Sequence, residues 1–569
     1  MFLLRTVATA GVALALLISL GSRPSSAQQV ARGSHYAVAS GHPEATAIGL
    51  QVLRDGGNVV DAAIATSLAL GVAEPYGSGL GGKLILLYRD GASGQITSIV
   101  ALCTSPAALD PEEFVKLHKT RREVGYLSAG VPGLLAGLDE AHRRWGSQPW
   151  DELVAPAADL AERGVVIDDV MHGMFAAKVS SLRQDDEAAS IYLRDGQAPP
   201  VGARLVNADL AATLRTVAAG GVDAFYRGPI ARSIVAAASA GGSSLSVDDF
   251  AAYKAEVSEP LLVDFAGYQV ATCPPPLNGG ATVAAALAAL NQLPLDSSDA
   301  NIEAAQADRL GRVLQCVYPE VQEAIGDKPP ARAAALQLAG QAAAERFAAH
   351  AAELDPRAPY AQSEPATIET SADALPDAST THLVVVDAAG NMVSLTQSLS
   401  LHFGAAVVPP GTGVLLNDSM SNFSTHDPAS VNHAGGGKRA RSTIAPVIVT
   451  RGDEPVLALG IPGGQRIPTT TLQLLCRVLE REQPLDEALA ASRYHLQRPH
   501  NSRQPPNVVD YEDDADAAWV AEMQRRGWRM KPRRRNGHYF GGGNAAQYQP
   551  DGTLLGVADP RRTNAAAAE

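Results

Sequence analysis

The sequence predicts an α+β protein with helices and strands stacked in layers. Three observations carry that expectation. Apolar residues recur at helical spacing over most of the chain before residue 355. Beyond it, an apolar strand at 383–386 and a turn at 387–391 lead into residues 392–401, which alternate apolar with hydroxyl side chains in the manner of a β-hairpin. Between the two lies a proline- and acid-rich stretch, 355–379, with little to bury. At 569 residues, with 46% hydrophobic and 19% charged residues, the chain can fill a large core.

Taken in order, the first segment reads as a secretory signal, 1–27. Arg5 supplies the positive start, Val7 to Leu20 is apolar, and Ser25-Ser26-Ala27 fits small-x-small cleavage. The apolar core is shorter than the ~20 residues a membrane span needs. An exported protein, periplasmic or extracellular and without a stable membrane anchor, is therefore expected. Glu44 to Asp55 reads as a helix stopped by Gly56-Gly57, and Val60 to Val72 as a second, apolar helix. The glycine-rich loop Gly77 to Gly82 leads into a strand, Leu84 to Tyr88. Helices dominate from Asp151 to Ala240. Pro274-Pro275-Pro276 marks a rigid loop before an Ala-rich helix, and Ala331 to Leu354 reads as another. The 355–379 stretch reads as an exposed, mobile linker.

Composition excludes some functions. A net charge of −14 argues against a nucleic-acid partner. The short basic run Lys531 to Arg535 reads as a solvated turn. The 13 histidines show no metal-ligand spacing, so neither metal nor other cofactor is expected. Cys103, Cys273, Cys316 and Cys476 lie far apart, and both disulfides and buried free thiols remain open. Gly77-Ser78-Gly79-Leu80-Gly81-Gly82-Lys83 satisfies G-x-G-x-x-G and nearly fits a P-loop. Those motifs need a strand before and a helix after, the reverse of the order here.

The hairpin carries the chemistry. If Val386 pairs with Met392, Thr380 lies opposite Ser398 and His382 opposite Thr396. Thr380, Thr396, Ser398 and Ser400 then share one face, and Leu383, Val385, Val393, Leu395 and Leu399 form a core face. A threonine facing a hydroxyl just after a mobile linker is what an N-terminal nucleophile needs. Cutting the Ser379–Thr380 bond would free an α-amine of pKa ~8, able to act as base without a histidine. Pattern alone favours the plainer reading of Thr and Ser as ordinary strand residues. His382 reads as a packed or hydrogen-bonding residue.

Thr380-Thr381-His382, Asp387, Gly390-Asn391 and Phe403-Gly404 resemble the start of the small subunit of γ-glutamyltranspeptidases. The resemblance continues through Leu415-Leu416-Asn417, Lys438-Arg439, Ser442-Thr443, Pro462-Gly463-Gly464 and Asp559-Pro560-Arg561. Upstream it includes Gly79-Leu80-Gly81-Gly82, Gly130-Val131-Pro132-Gly133 and Pro274-Pro275-Pro276. It implies a four-layer αββα sandwich of the N-terminal-nucleophile type, autocleaved from one precursor. The implied division is a large subunit, 28–379, and a small subunit, 380–569, held as a heterodimer. By position, the resemblance makes Thr380 the nucleophile, Ser398 its hydroxyl partner, and the N–H groups of Gly463 and Gly464 the oxyanion hole. The implied substrates are glutathione and other γ-glutamyl amides, with water or an amine as acceptor.

The acyl pocket departs from the family. Leu102 stands where the family has an arginine for the substrate carboxylate, and Asn422 where it has the aspartate for the ammonium. Ser400 and Ser419 replace an asparagine and a glutamine, while Ser442 and Thr443 are retained. Machinery kept with altered acyl specificity, toward a smaller or less charged acyl group, is the expectation. Lys83 and Arg441 are candidates for a substitute charge, against the ordinary alternative of solvated surface charges. A secreted homologue of little or no activity, acting as a binding module, is the alternative.

Overall fold

The computed structural model describes residues 29–357, 378–498, 505–535 and 539–569. The segment read as a signal peptide and nearly all of the linker lie outside the described residues. Two antiparallel seven-stranded sheets face one another. The first runs Ala565–Ala568, Tyr36–Ser40, Ala378–Asp387, Met392–Leu401, Lys83–Arg89, Ile96–Ala101 and Glu256–Ser258. The second runs Val30–Gly33, Leu554–Ala558, Asn544–Tyr548, Glu454–Gly460, Val447–Arg451, Tyr268–Thr272 and Leu261–Phe265.

Ala37, Ala39, Leu87, Val384, Val386 and Met392 from one sheet and Ala271, Ile448, Ala458, Ala546 and Leu554 from the other fill the space between the sheets. Leu383, Val385, Val393, Leu395 and Leu399 pack under helices that include Pro43–Arg54 and Val59–Ala73, as the alternation requires. On the far side Val447, Val449, Leu457 and Leu459 pack under Asn278–Gln292 and Ile302–Ala324. The result is the αββα sandwich expected from the sequence.

Several elements differ from the sequence reading. The Ala-rich stretch after Ala331 is two helices, Ala331–Leu338 and Gln341–Glu353, because Gly340 adopts an extended conformation (φ −77°, ψ 162°) that ends helical geometry. The last residues of the supposed linker, Ala378 and Ser379, already belong to a strand. Lys531 to Arg535 is no solvated turn. Lys531 to Arg533 end the strand Arg529–Arg533, with Arg533 bonded to the buried Asp510 at 2.8 Å; Arg534 and Arg535 lie beyond it, Arg535 paired to Asp514. All four cysteines are buried free thiols. Among the described residues no helix is long and apolar enough to cross a membrane.

Candidate active site

The hairpin places Thr380 at a β-bulge. Pairing keeps one register from Val386–Met392 to Thr381–Gln397, then slips so that Ser379 faces Ser400 and Ala378 faces Leu401. The simple register expected at Thr380 is thus corrected: its partner strand carries one extra residue there. Ser400 absorbs it with φ of +88°, a conformation side chains rarely adopt. Its N–H donates to Ser398 Oγ at 2.9 Å. The bulge still brings the two hydroxyls together, Thr380 Oγ1 donating to Ser398 Oγ at 3.2 Å.

Contacts on both sides fix the Thr380 backbone. Arg562 Nη1 donates to the Thr380 carbonyl at 3.1 Å. Thr381 Oγ1 donates to the carboxylate of Glu74, which also accepts from Tyr76 Oη at 2.6 Å. Sequence reasoning missed Arg562 and Glu74, and their local context (Glu74-Pro75, and the residue after Asp559-Pro560-Arg561) gave no sign of contact with Thr380.

His382 faces Thr396 as expected, Nδ1 and Oγ1 lying 2.8 Å apart. Its ring lies against Gly460, where a Cβ would come within 2.3 Å of the ring. Burial lowers its pKa to about 3, so the ring is neutral.

A second group of polar side chains gathers beside the bulge. Lys83 pairs in register with Ser398. Its Nζ donates to Ser400 Oγ at 2.6 Å and to Ser419 Oγ at 3.3 Å. Asn422 Nδ2 donates to Ser400 Oγ at 3.2 Å. Asn417 ties this segment down, its Nδ2 donating to Gly81 O (2.7 Å) and Gly130 O (2.9 Å). The glycine-rich loop is therefore a docking point for the 415–419 segment. A helix precedes it and a strand follows it, as the sequence indicated. Burial pushes the Asp418 carboxyl up to about 7, opposed by the Leu401 N–H, the Ser421 hydroxyl and Lys83.

Ser400, Ser419 and Asn422 thus come together, but Leu102 does not join them. It is 1% exposed and packs in the apolar core of the second sheet with Ile85 and Val100. Neither candidate charge is solvated. Lys83 is 3% exposed. Arg441 is buried with Nη1 on the carbonyls of Gln322 and Ile325, at the end of the Ile302–Ala324 helix, and is spent on the fold.

Gly463 and Gly464 have φ of +137° and +59°, values that suit glycine. The Gly464–Arg466 turn packs against the Ala378–Asp387 strand. Thr443 Oγ1 donates to Gly464 O at 2.9 Å, and Ser442 accepts the Ile444 N–H at 3.4 Å. Behind the turn, a Cβ on Gly541 would lie 1.9 Å from Pro462 O, so a second loop presses directly on it.

The family model described as Gamma-glutamyltranspeptidase matches residues 45–569. Acylase ACY 1 proenzyme from Pseudomonas sp. (strain V22) is 32% identical over 544 residues, 93% of this chain and 92% of the relative. Glutathione hydrolase proenzyme from Bacillus subtilis (strain 168) is 30% identical over 562 residues, covering 95% and 92%. Among solved structures, cephalosporin acylase from Bacillus halodurans superposes with a TM-score of 0.83. It is 26% identical, over 97% of this chain and 99% of that one.

Proposed function

Because the chain belongs to the γ-glutamyltranspeptidase family, an enzyme family, we propose that it is an exported, autoprocessed amidohydrolase or acyltransferase whose nucleophile is Thr380. The carrying observation is the Thr380 hydroxyl, 3.2 Å from Ser398, where the strand that contains the Ser379–Thr380 bond faces a bulge in its partner. Two relatives are named as proenzymes, which supports processing. Residues 1–27 are the export signal, and cleavage yields subunits 28–379 and 380–569.

In processing, Thr380 Oγ attacks the Ser379 carbonyl. The peptide shifts to an ester on Oγ, and the nitrogen of Thr380 becomes the free amine. Water then hydrolyses that ester. Cleavage does more than create an amine. The backbone of Ala378 and Ser379 pairs with Leu401 and Ser400, so releasing it uncovers Ser400.

In turnover, the amine accepts the Thr380 hydroxyl proton as Oγ attacks the substrate carbonyl. The N–H groups of Gly463 and Gly464 stabilise the oxyanion, each such donor being worth ~2.7–4 kcal/mol. Collapse breaks the C–N bond, and the leaving amine takes the proton. Water, or an acceptor amine, attacks the ester by the same route and regenerates Thr380. Ser398 holds the hydroxyl rotamer, and Ser442 and Thr443 line the acyl site.

The relatives' named activities diverge, acylase and glutathione hydrolase, and Leu102 and Asn422 stand where the family has its arginine and aspartate for a γ-glutamyl zwitterion. We therefore expect a less charged acyl group than γ-glutamyl. Sequencing of the smaller fragment should begin at Thr380, and γ-glutamyl-p-nitroanilide should turn over more slowly than acyl anilides lacking the amino group. Turnover of the γ-glutamyl compound at rates usual for the family would sink the altered specificity.

The pH profile provides a separate check. With its pKa lowered to about 3, His382 stays neutral throughout pH 5–9. kcat/KM should rise with pH as the Thr380 amine loses its proton near ~8, with no limb near 6.5. A limb at 6.5 that disappears in His382→Gln would assign the base to the ring instead.

A further inference from the structure

The Ala378–Asp387 strand has a neighbour along only part of one edge. Tyr36–Ser40 pairs with Val384 to Asp387 and goes no further. Beyond that point two side chains stand in for a strand. Asn544 Nδ2 donates to His382 O at 2.8 Å, and Arg562 Nη1 donates to Thr380 O at 3.1 Å. A buried backbone carbonyl needs such a donor. A neutral amide suffices at residue 382, yet residue 380 receives a buried guanidinium. The Nε of Arg562 is buried without an acceptor, and among the described residues Arg562 pairs with no carboxylate. At the next residue, the Glu74 carboxylate accepts from the Thr381 hydroxyl. Glu74 is buried too, and it caps the negative, C-terminal end of the Val59–Ala73 helix, where a carboxylate is disfavoured. Gly41 makes room for this contact: a Cβ there would lie 2.1 Å from Glu74 Oε2 and 2.4 Å from Thr381 Oγ1. Neither charge stands where folding alone would favour it.

We propose that Arg562 and Glu74 are positioning residues that act after cleavage, in turnover and not in processing. This rests on the assignment of Thr380 as nucleophile. Before cleavage, Thr380 is held by chain on both sides, with Ala378 and Ser379 pairing to Leu401 and Ser400. Afterwards it is a chain end, and chain ends fray unless tied down. The clamp on its carbonyl, with Thr381 held behind it, keeps the hydroxyl and amine aimed at the Gly463-Gly464 turn. The two charges act on the amine in opposite directions: Arg562 favours its neutral, basic form and Glu74 its protonated form. Their opposition leaves the wild-type limb near ~8. The other charged or titratable groups around Thr380 are common to every variant below. Lys83 and Asp418 lie beside the bulge, Arg466 on the glycine turn, and His382 and His402 on or just past the hairpin strands. His42, Tyr76 and Asp168 lie around Glu74.

The test compares wild type, Arg562→Met, Arg562→Lys and Glu74→Gln on a p-nitroanilide that the wild type hydrolyses. All four should be cut to the same extent. Cleaved Arg562→Met should lose roughly 10- to 100-fold in kcat with KM unchanged. Its pH limb should move up by about one unit, and that of Glu74→Gln down by about half a unit, the scale of one nearby, partly screened charge. Arg562→Lys, which keeps the charge, should leave the limb in place. A merely structural defect would lower activity without moving the limb in opposite directions. Wild-type kcat in Arg562→Met, limbs that stay still, or limbs that move the same way overturn the proposal. So does an Arg562→Met chain that folds but stays uncut. Should Arg562→Met not fold, Glu74→Gln decides: an unmoved or raised limb overturns it. Wild-type protein that stays uncut, or hydrolyses no anilide, brings down the Thr380 assignment as well. Cleaved, active wild type with unshifted variants brings down only the roles of Arg562 and Glu74.

Discussion

Thr380→Ala is expected to remain one uncut polypeptide and to lose amide hydrolysis by about 10⁴-fold or more, the scale set by deleting a nucleophile elsewhere. The substitution removes the attacking oxygen from both processing and turnover. It removes the donor to Ser398 but none of the backbone contacts: Arg562 still reaches the carbonyl of residue 380, and Thr381 still reaches Glu74. Folding should survive, which makes the gel and the assay interpretable together. Thr380→Ser, which keeps a hydroxyl in the same place, should still cleave. Two fragments from Thr380→Ala would mean that another group, or a contaminating protease, cuts the chain. The assignment of the nucleophile would then fail.

The largest expected loss of stability is at Asp559→Ala. Asp559 and Arg493 form an ion pair with both side chains fully buried. Arg561 joins through Asp559 at 3.2 Å and Glu512 at 2.6 Å, and the Gly543 N–H donates to Asp559 at 3.0 Å. Removing one carboxylate leaves buried guanidinium charge uncompensated, at a cost of about 3–5 kcal/mol. The damage would spread toward Gly463. Arg493 holds the Gly541 carbonyl at 3.0 Å, and Gly541 presses on Pro462. Denaturant unfolding should be measured in the Thr380→Ala background, where the chain stays in one piece.

The acid dependence of this network has a definite sign. Burial alone would raise the Asp559 pKa, but Arg493, Arg561 and two backbone N–H groups outweigh it, and the net shift is downward. Its stabilisation is therefore present above the unfolded carboxyl value of ~3.9 and lost as pH falls through the lower folded value. Asp559→Ala should lack that part of the acid limb. A loss of unfolding free energy below ~1 kcal/mol would mean that the buried charges find other partners.

Much of this was legible in the sequence because it depends on neighbours along the chain. The hairpin was readable from period-two alternation around a short turn, and its apolar face lies under the helices where that alternation puts it. The bulge was not. Its extra residue falls within Ser398-Leu399-Ser400, where the simple register would set Leu399 opposite Ser379 and the slip sets Ser400 there instead. Lys83 and Arg441 resisted reading for a different reason. Local pattern treats a lone cation as solvated, but the partners that bury these two lie 317 and 336 positions away for Lys83 and 119 for Arg441. Leu102 shows the opposite limit. Aligned to a binding position, it packs in the core.

The four buried thiols bear on how this protein reaches its native state. No covalent brace ties distant parts of the sandwich, so assembly calls on no oxidant and no thiol–disulfide exchange partner. Reductants have no disulfide in it to break.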